Sequence, residues 1–114
     1  MKENENKRVF LSGGITGIQG YRDIFKKAEE QLRSMGYKFI MNPAVLPEDG
    51  FEYADYLNIT KAMLEACDIV VFLPGWEKSS GSQTERVLAI ERDMVTLYGL
   101  EEARDFIEGD LCTL

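Results

Sequence analysis

Histidine is missing from these 114 residues, and cysteine appears only twice, as Cys67 and Cys112. No CxxC spacing exists, so one chain does not supply a tetrahedral Cys/His zinc site, and no metal is expected. Cys67 is expected to pack as a small apolar residue in a reducing compartment. Positive charge is scarce. Thirteen Lys and Arg stand against 20 Asp and Glu, which gives a net charge of −7 and a pI of about 4.6. That excludes a duplex nucleic-acid partner, because phosphate backbones are met by clustered Lys and Arg. A small anion still binds where the local field differs from the global one. No apolar run approaches the ~18–20 residues that span a bilayer, so no membrane partner is expected. The opening stretch, MKENENKRV, lacks the apolar core of a signal peptide. The cytoplasm is the expected compartment.

Hydrophobic residues make up 45% of the chain and charged residues 29%, a balance that supports one moderate core. The length suits one domain. A flexible polar tail over residues 1–7 is expected to precede a single domain over residues 8–114. The strands predicted are Val9–Leu11, a second in YKFIMNP, a third in DIVVFLP and a fourth in MVTLYG. DIVVFLP is β-branched and continuously apolar, as a central parallel strand buried on both faces requires. Helices are predicted over YRDIFKKAEEQLRSM, YADYLNITKAMLEAC, SQTERVLAIERD and LEEARDFIEG. In the first, Ile24, Phe25, Ala28, Leu32 and Met35 form the apolar face, and Gly36 ends the helix. In the second, Tyr56, Ile59, Met63 and Cys67 form it. The end, DLCTL, reads as a fifth short strand or a tail. Strands and helices alternate with short connections. The fold expected is therefore an α/β three-layer sandwich around a four- or five-stranded parallel sheet, flavodoxin/Rossmann-like. In such sheets ligands bind beyond the carboxyl ends of the strands.

The loops at those ends are the most glycine- and hydroxyl-rich parts of the chain. SGGITGIQGY, from Ser12 to Tyr21, carries Gly13, Gly14, Gly17 and Gly20 between a strand and a helix. Free N–H groups at that junction favour an anion or sugar oxygens. The spacing is neither GxGxxG nor GxxxxGK[ST], which argues against a dinucleotide site and a P-loop. Ser12, Gly13, Gly14, Ile15 and Gly17 are the candidate ligand contacts here, against the plainer reading of a tight turn.

PGWEKSSGSQTE, from Pro74 to Glu85, contains the literal capping box Ser82-Gln83-Thr84-Glu85. One reading is structural: Ser82 caps the helix and Glu85 reaches back to its N–H. The other is catalytic. A carboxylate in the first turn of a helix is held ionised by the dipole, as attack on an anomeric carbon requires. Ser79, Gly81 and Trp76 are candidate substrate contacts, with Trp76 either stacking on a base or sugar or serving as a lid. Lys78 and Arg86 are candidate anion attractors. Asp68 reads as a strand-start residue.

Three stretches, VFLSGGITG, CDIVVFLPGWEKSSGSQTE and LAIERDMVTLY, together resemble the nucleoside 2-deoxyribosyltransferase superfamily. Within it they are most similar to a small branch of unknown function common in phages and prophages, with an LPGWEKSxG…E signature. The resemblance covers Val9 to Tyr98. It implies cleavage of the N-glycosidic bond of deoxynucleosides or deoxynucleotides through a glutamate nucleophile, which matches Glu85. It also implies that Ser79 stands where nucleoside-type transferases carry Asp and the nucleotide N-hydrolases carry Ser, which suits a phosphate. The family's active enzymes usually carry an Asp eight residues before the one that opens the third strand, and here that position is Thr60. Threonine is no general acid near neutral pH. Asp55, Asp49 and Tyr21 are the candidate substitutes.

The activity expected is hydrolysis or transfer at a deoxynucleoside or its 5′-monophosphate, with no metal or redox cofactor. The alternatives are a nucleotide-binding module without turnover, or a phosphoribohydrolase-like activity on ribonucleotides. A short chain leaves a shallow site, and Phe51, Tyr53, Tyr56 and Trp76 lie near its loops. A homodimer or higher homo-oligomer is therefore expected.

Overall fold

The computed structural model describes the backbone of residues 3–112 and the side chains of residues 4–109. Strands and helices alternate as β1 (Arg8–Ser12), α1 (Tyr21–Met35), β2 (Phe39–Met41), α2 (Tyr53–Glu65), β3 (Ile69–Phe72), α3 (Ser80–Glu91), β4 (Val95–Tyr98) and α4 (Leu100–Cys112). The strands form one all-parallel sheet in the order β2-β1-β3-β4. This is the expected three-layer Rossmann-like sandwich, with four strands among the described residues. DLCTL adds no fifth, because residues 110–112 are the last turn of α4 and residues 113–114 lie outside the described part.

Side chains of a strand alternate between the faces of a sheet. Val9 and Leu11 of β1, with Ile69 and Val71 of β3, join the core under α1 and α4. Phe10, Val70 and Phe72 join the opposite core under α2 and α3. Ser12 follows Phe10 in the same alternation and faces the α2–α3 layer, where its hydroxyl meets α3.

Three expectations are corrected. On α1 the buried residues are Phe25, Ala28 and Leu32, whereas Ile24 is 48% exposed. Ile24 and Phe25 are ~100° apart on a helix, and the sheet takes the stripe that includes Phe25. On α2 the buried residues are Thr60 and Leu64, and Ile59 is exposed. The inward stripe is thus turned one residue from the apolar pattern, because a hydroxyl residue occupies an interior position. Finally, the expected tail includes a 3-10 turn over Glu3–Asn6, and Asn4 donates to the Phe106 carbonyl of α4 at 3.5 Å. Residues 1–2 lie outside the described part.

Candidate functional site

A cleft of about 660 Å³ opens beyond the carboxyl ends of β1 and β3. The chain leaves β1 toward β2 and leaves β3 toward β4, so the loops part there and make a crevice. One wall is the glycine loop after β1. The connection after β2 and the hydroxyl-bearing stripe of α2, Tyr53, Tyr56 and Thr60, also line the cleft. The start of α3, with Lys78, Ser79, Ser80 and Gly81, completes the lining.

The glycine loop supplies Gly13, Gly14, Ile15 and Gly17 to the lining. Gly13 also meets a packing demand: a Cβ there lies 3.2 Å from both Leu73 and Phe25. Gly20 caps α1 in the left-handed conformation (φ 72°), so its role is backbone geometry.

The capping box is not formed. The N-cap of α3 is Ser79, whose side chain accepts from Ser82 N at 3.2 Å. The helix therefore starts earlier than expected and Glu85 falls in its second turn. Glu85 points inward and lines the cleft while only 8% exposed. Its Oε1 accepts a hydrogen bond of 2.6 Å from the Ser12 hydroxyl, and Ser12 Oγ lies 2.9 Å from Ser82 Oγ. Burial pushes the carboxyl up to about 6, opposed by hydrogen bonds from Ser12 and Thr60. The expected dipole-stabilised carboxylate is thus corrected: dipole effects fade beyond the first turn, and desolvation wins. Ser12, expected to touch ligand, is fully buried beneath Glu85 and is absent from the cleft lining.

Thr60 stands in the cleft beside Glu85, with its hydroxyl also 3.3 Å from the Leu57 carbonyl. Of the substitute acids, Asp49 and Tyr21 line the cleft. Asp55 does not; its carboxylate accepts from Glu52 N at 2.9 Å and caps α2. Trp76 and Arg86 are also absent from the lining. The Trp76 ring packs on Phe72 and Tyr98, at centroid distances of 5.1 and 5.5 Å, and Arg86 donates to Tyr98 Oη at 2.8 Å. Both residues belong to an aromatic cluster on the β4 side. Asp68 sits at the far end of the sheet, where it accepts from Arg8 N at 2.9 Å and is held below the usual carboxylate range.

Some site residues carried a weaker sequence signal. Tyr53 and Ser80 approach across the mouth, Oη to Oγ at 3.1 Å, and Tyr56 fixes the connection by donating to Pro47 O at 2.7 Å. Hydroxyls at positions 53, 56 and 60 follow helical spacing, a polar stripe that an apolar count overlooks. Among the described residues, no group of three or more acidic or cysteine side chains converges as a metal-ligand set, and no helix is long and apolar enough to cross a membrane.

Fold and site together define a doubly wound α/β protein with a buried carboxylate at the switch point of its sheet. Residues 7–98 match the family model described as "Domain of unknown function (DUF4406)", and the chain belongs to that family. The matched stretch spans all four strands and every residue of the cleft. No curated protein and no solved structure matches the chain.

A buried acid has a signature in stability. Between the ordinary value of 4.5 and about 6, the folded protein keeps a proton on Glu85 that the unfolded chain releases. Stability from this group is therefore full below that window and is lost as pH rises through it, by about 2 kcal/mol. Glu85→Gln removes the ionisation and keeps the shape. It is expected to be more stable than the wild type at pH ~8 and equal to it near pH ~4, in urea unfolding at each pH. A variant less stable at the higher pH means that the ionised carboxylate supports the fold.

Proposed function

We propose that this protein cleaves the N-glycosidic bond of deoxynucleosides or their 5′-monophosphates, by hydrolysis or by transfer, with Glu85 as nucleophile. The observation that carries the reading is the buried carboxylate of Glu85, tied to the central strand and open to a cleft of nucleotide size. The sequence resemblance to nucleoside 2-deoxyribosyltransferases supports it. In the chemistry proposed, one Glu85 oxygen bonds to C1′ as the C1′–N bond breaks, and the electron pair leaves with the base, which takes up a proton. Water or a second base then attacks C1′, the ester bond to Glu85 breaks, and the attacking group gives up its proton. The anionic carboxylate stabilises the oxocarbenium-like charge on the sugar in both steps. Tyr21, Tyr53 and Tyr56 offer aromatic surface to the base. Ser79, Ser80 and Gly81, at the start of α3 beside Lys78, suit a phosphate. No metal or redox cofactor enters the scheme, and the cytoplasm is its natural compartment.

A second reading rests on Thr60. With no carboxyl there, the cleft binds a nucleotide without turning it over. A phosphoribohydrolase-like activity on ribonucleotides is the third. One experiment separates them: deoxynucleosides, deoxynucleotides and ribonucleotides are incubated with the protein and free base is measured. Base release from the deoxy substrates alone is expected, with Glu85→Ala folded but inactive. Full turnover in that variant removes Glu85 as nucleophile.

Thr60→Asp restores the acid of the resembled family beside Glu85. Its base release is expected to rise by ~10²-fold, the scale of a positioned general acid. No gain in a folded variant that still binds nucleotide means that another group, such as Asp49, protonates the base or that the base leaves without help.

The cleft is open, and exposed apolar residues flank it: Val45 is 73% exposed and Phe51 55%. A closed two-fold homo-oligomer that covers the connection between Pro43 and Tyr53, or α2, completes the pocket. Light scattering at micromolar concentration is expected to give at least twice the 13.0 kDa of one chain. A monomer unchanged by nucleotide removes the oligomer.

A further inference from the structure

We propose that Ser12 is the positioning residue of this site: its hydroxyl pins Oε1 of Glu85 and leaves the other carboxylate oxygen for the cleft. The consequence for turnover rests on the nucleophile reading of Glu85, but the geometry stands without it.

Ser12 ends β1, is fully buried and pairs in register with Phe72 of the neighbouring central strand. It is thus held within the hydrogen-bonded centre of the sheet, whereas Glu85 projects from a helix on a longer side chain. A 2.6 Å separation is the short range of a hydrogen bond to an ionised acceptor. One such bond from the sheet fixes where the carboxylate sits relative to the crevice floor.

Proton counting gives the bond a direction. A hydroxyl has one proton. When Glu85 is ionised, Ser12 spends its proton on Oε1, so the 2.9 Å contact with Ser82 runs from Ser82 to Ser12. When Glu85 is protonated, the chain reverses: Glu85 donates to Ser12, and Ser12 to Ser82. Both states keep the two serines paired, although Ser12 and Ser82 are buried. No buried side-chain polar atom among the described residues lacks a partner. The Thr60 hydroxyl, which also favours ionised Glu85, donates to the Leu57 carbonyl at 3.3 Å. Ser12 also reaches Ser82 Oγ at 2.9 Å, but its shorter contact, at 2.6 Å, is to Glu85, and it is the one that ties the carboxyl to the sheet. The other titratable groups at the cleft are Tyr21 of α1, Glu48 and Asp49 of the connection after β2, Tyr53 and Tyr56 of α2, and Lys78 before α3. The bonds that favour ionised Glu85 come from Ser12 and Thr60.

The test uses the full chain with its Glu carboxyl carbons labelled. Glu85 is assigned by its absence in Glu85→Gln, titrated by NMR, and compared with the pH profile of base release. In Ser12→Ala, the Glu85 midpoint is expected to move from about 6 toward ~7, and in Ser12→Thr to return. Ser12 does not touch substrate, so kcat is expected to fall ~10-fold or more in Ser12→Ala with KM unchanged. Should Ser12→Ala fail to fold, Ser12→Cys, of similar size and a weaker donor, is read the same way. An unmoved midpoint in a folded variant overturns the proposal, whatever happens to turnover. A moved midpoint in a protein that releases no base supports the positioning role and removes the nucleophile reading.

Discussion

The pairing of β1 with β3 is the constraint on which the rest depends. Its register sets Ser12 opposite Phe72 at the carboxyl end of the sheet. From there the chain turns toward β2 on one side and toward β4 on the other, and the cleft is the gap between the two paths. The register also decides which way Ser12 faces. A slip of one residue sends every side chain of a strand to the opposite face. Ser12 would then point into the α1–α4 core, and Glu85 would lose its partner on the sheet. Apolar packing of Val9, Phe10 and Leu11, each fully buried, thereby places a polar contact that contributes little to the core.

Burial of Glu85 conflicts with stability. A carboxylate that is 8% exposed gives up most of its hydration, and the hydrogen bonds of Ser12 and Thr60 offset only part of the loss. A residue chosen for the fold alone would be apolar here, because Ala89, one turn further along α3, is buried in the core beneath the helix. Sites that bear such a cost are where chemistry is sought first. The structural alternative, a helix cap, has its own residue: Ser79 does that work, which leaves Ser82 and Glu85 free to turn inward.

The alternation of strands and helices was legible in the sequence because it rests on long repeated patterns, each many residues deep. The site was legible only in part. Glu85, Thr60 and the glycine loop lie on three segments that topology brings together, and the switch-point rule locates them without any side-chain detail. What failed was local. Four residues of Ser82–Glu85 fit a capping box, but Ser79 fits a cap as well, and a short pattern does not choose between overlapping frames. Trp76 and Arg86 lie outside the cleft lining for a different reason: their partner Tyr98 ends β4, the strand after α3, so no local reading pairs them. The fifth strand failed because residues 110–112 extend α4, and DLC fits either state at that length.

The overall charge of −7 and the proposed substrate are reconciled within the cleft. Glu48, Asp49 and Glu85 line it against one ammonium, Lys78, so side chains alone make it acidic. That field opposes a phosphate but favours a sugar that gains positive charge as its base departs. The start of α3 differs. Its first N–H groups point out of the helix, Ser79 satisfies that of Ser82, and the others are free of intrahelical acceptors. Backbone dipoles there carry positive potential that the sequence charge does not count. On the proposed reading the two ends divide the labour. The helix start receives the anionic end of a nucleotide, and the acidic floor faces the carbon where charge develops. On that reading an acidic protein would bind an anionic substrate without a basic patch, and a neutral nucleoside would differ from its monophosphate only in what it offers to α3.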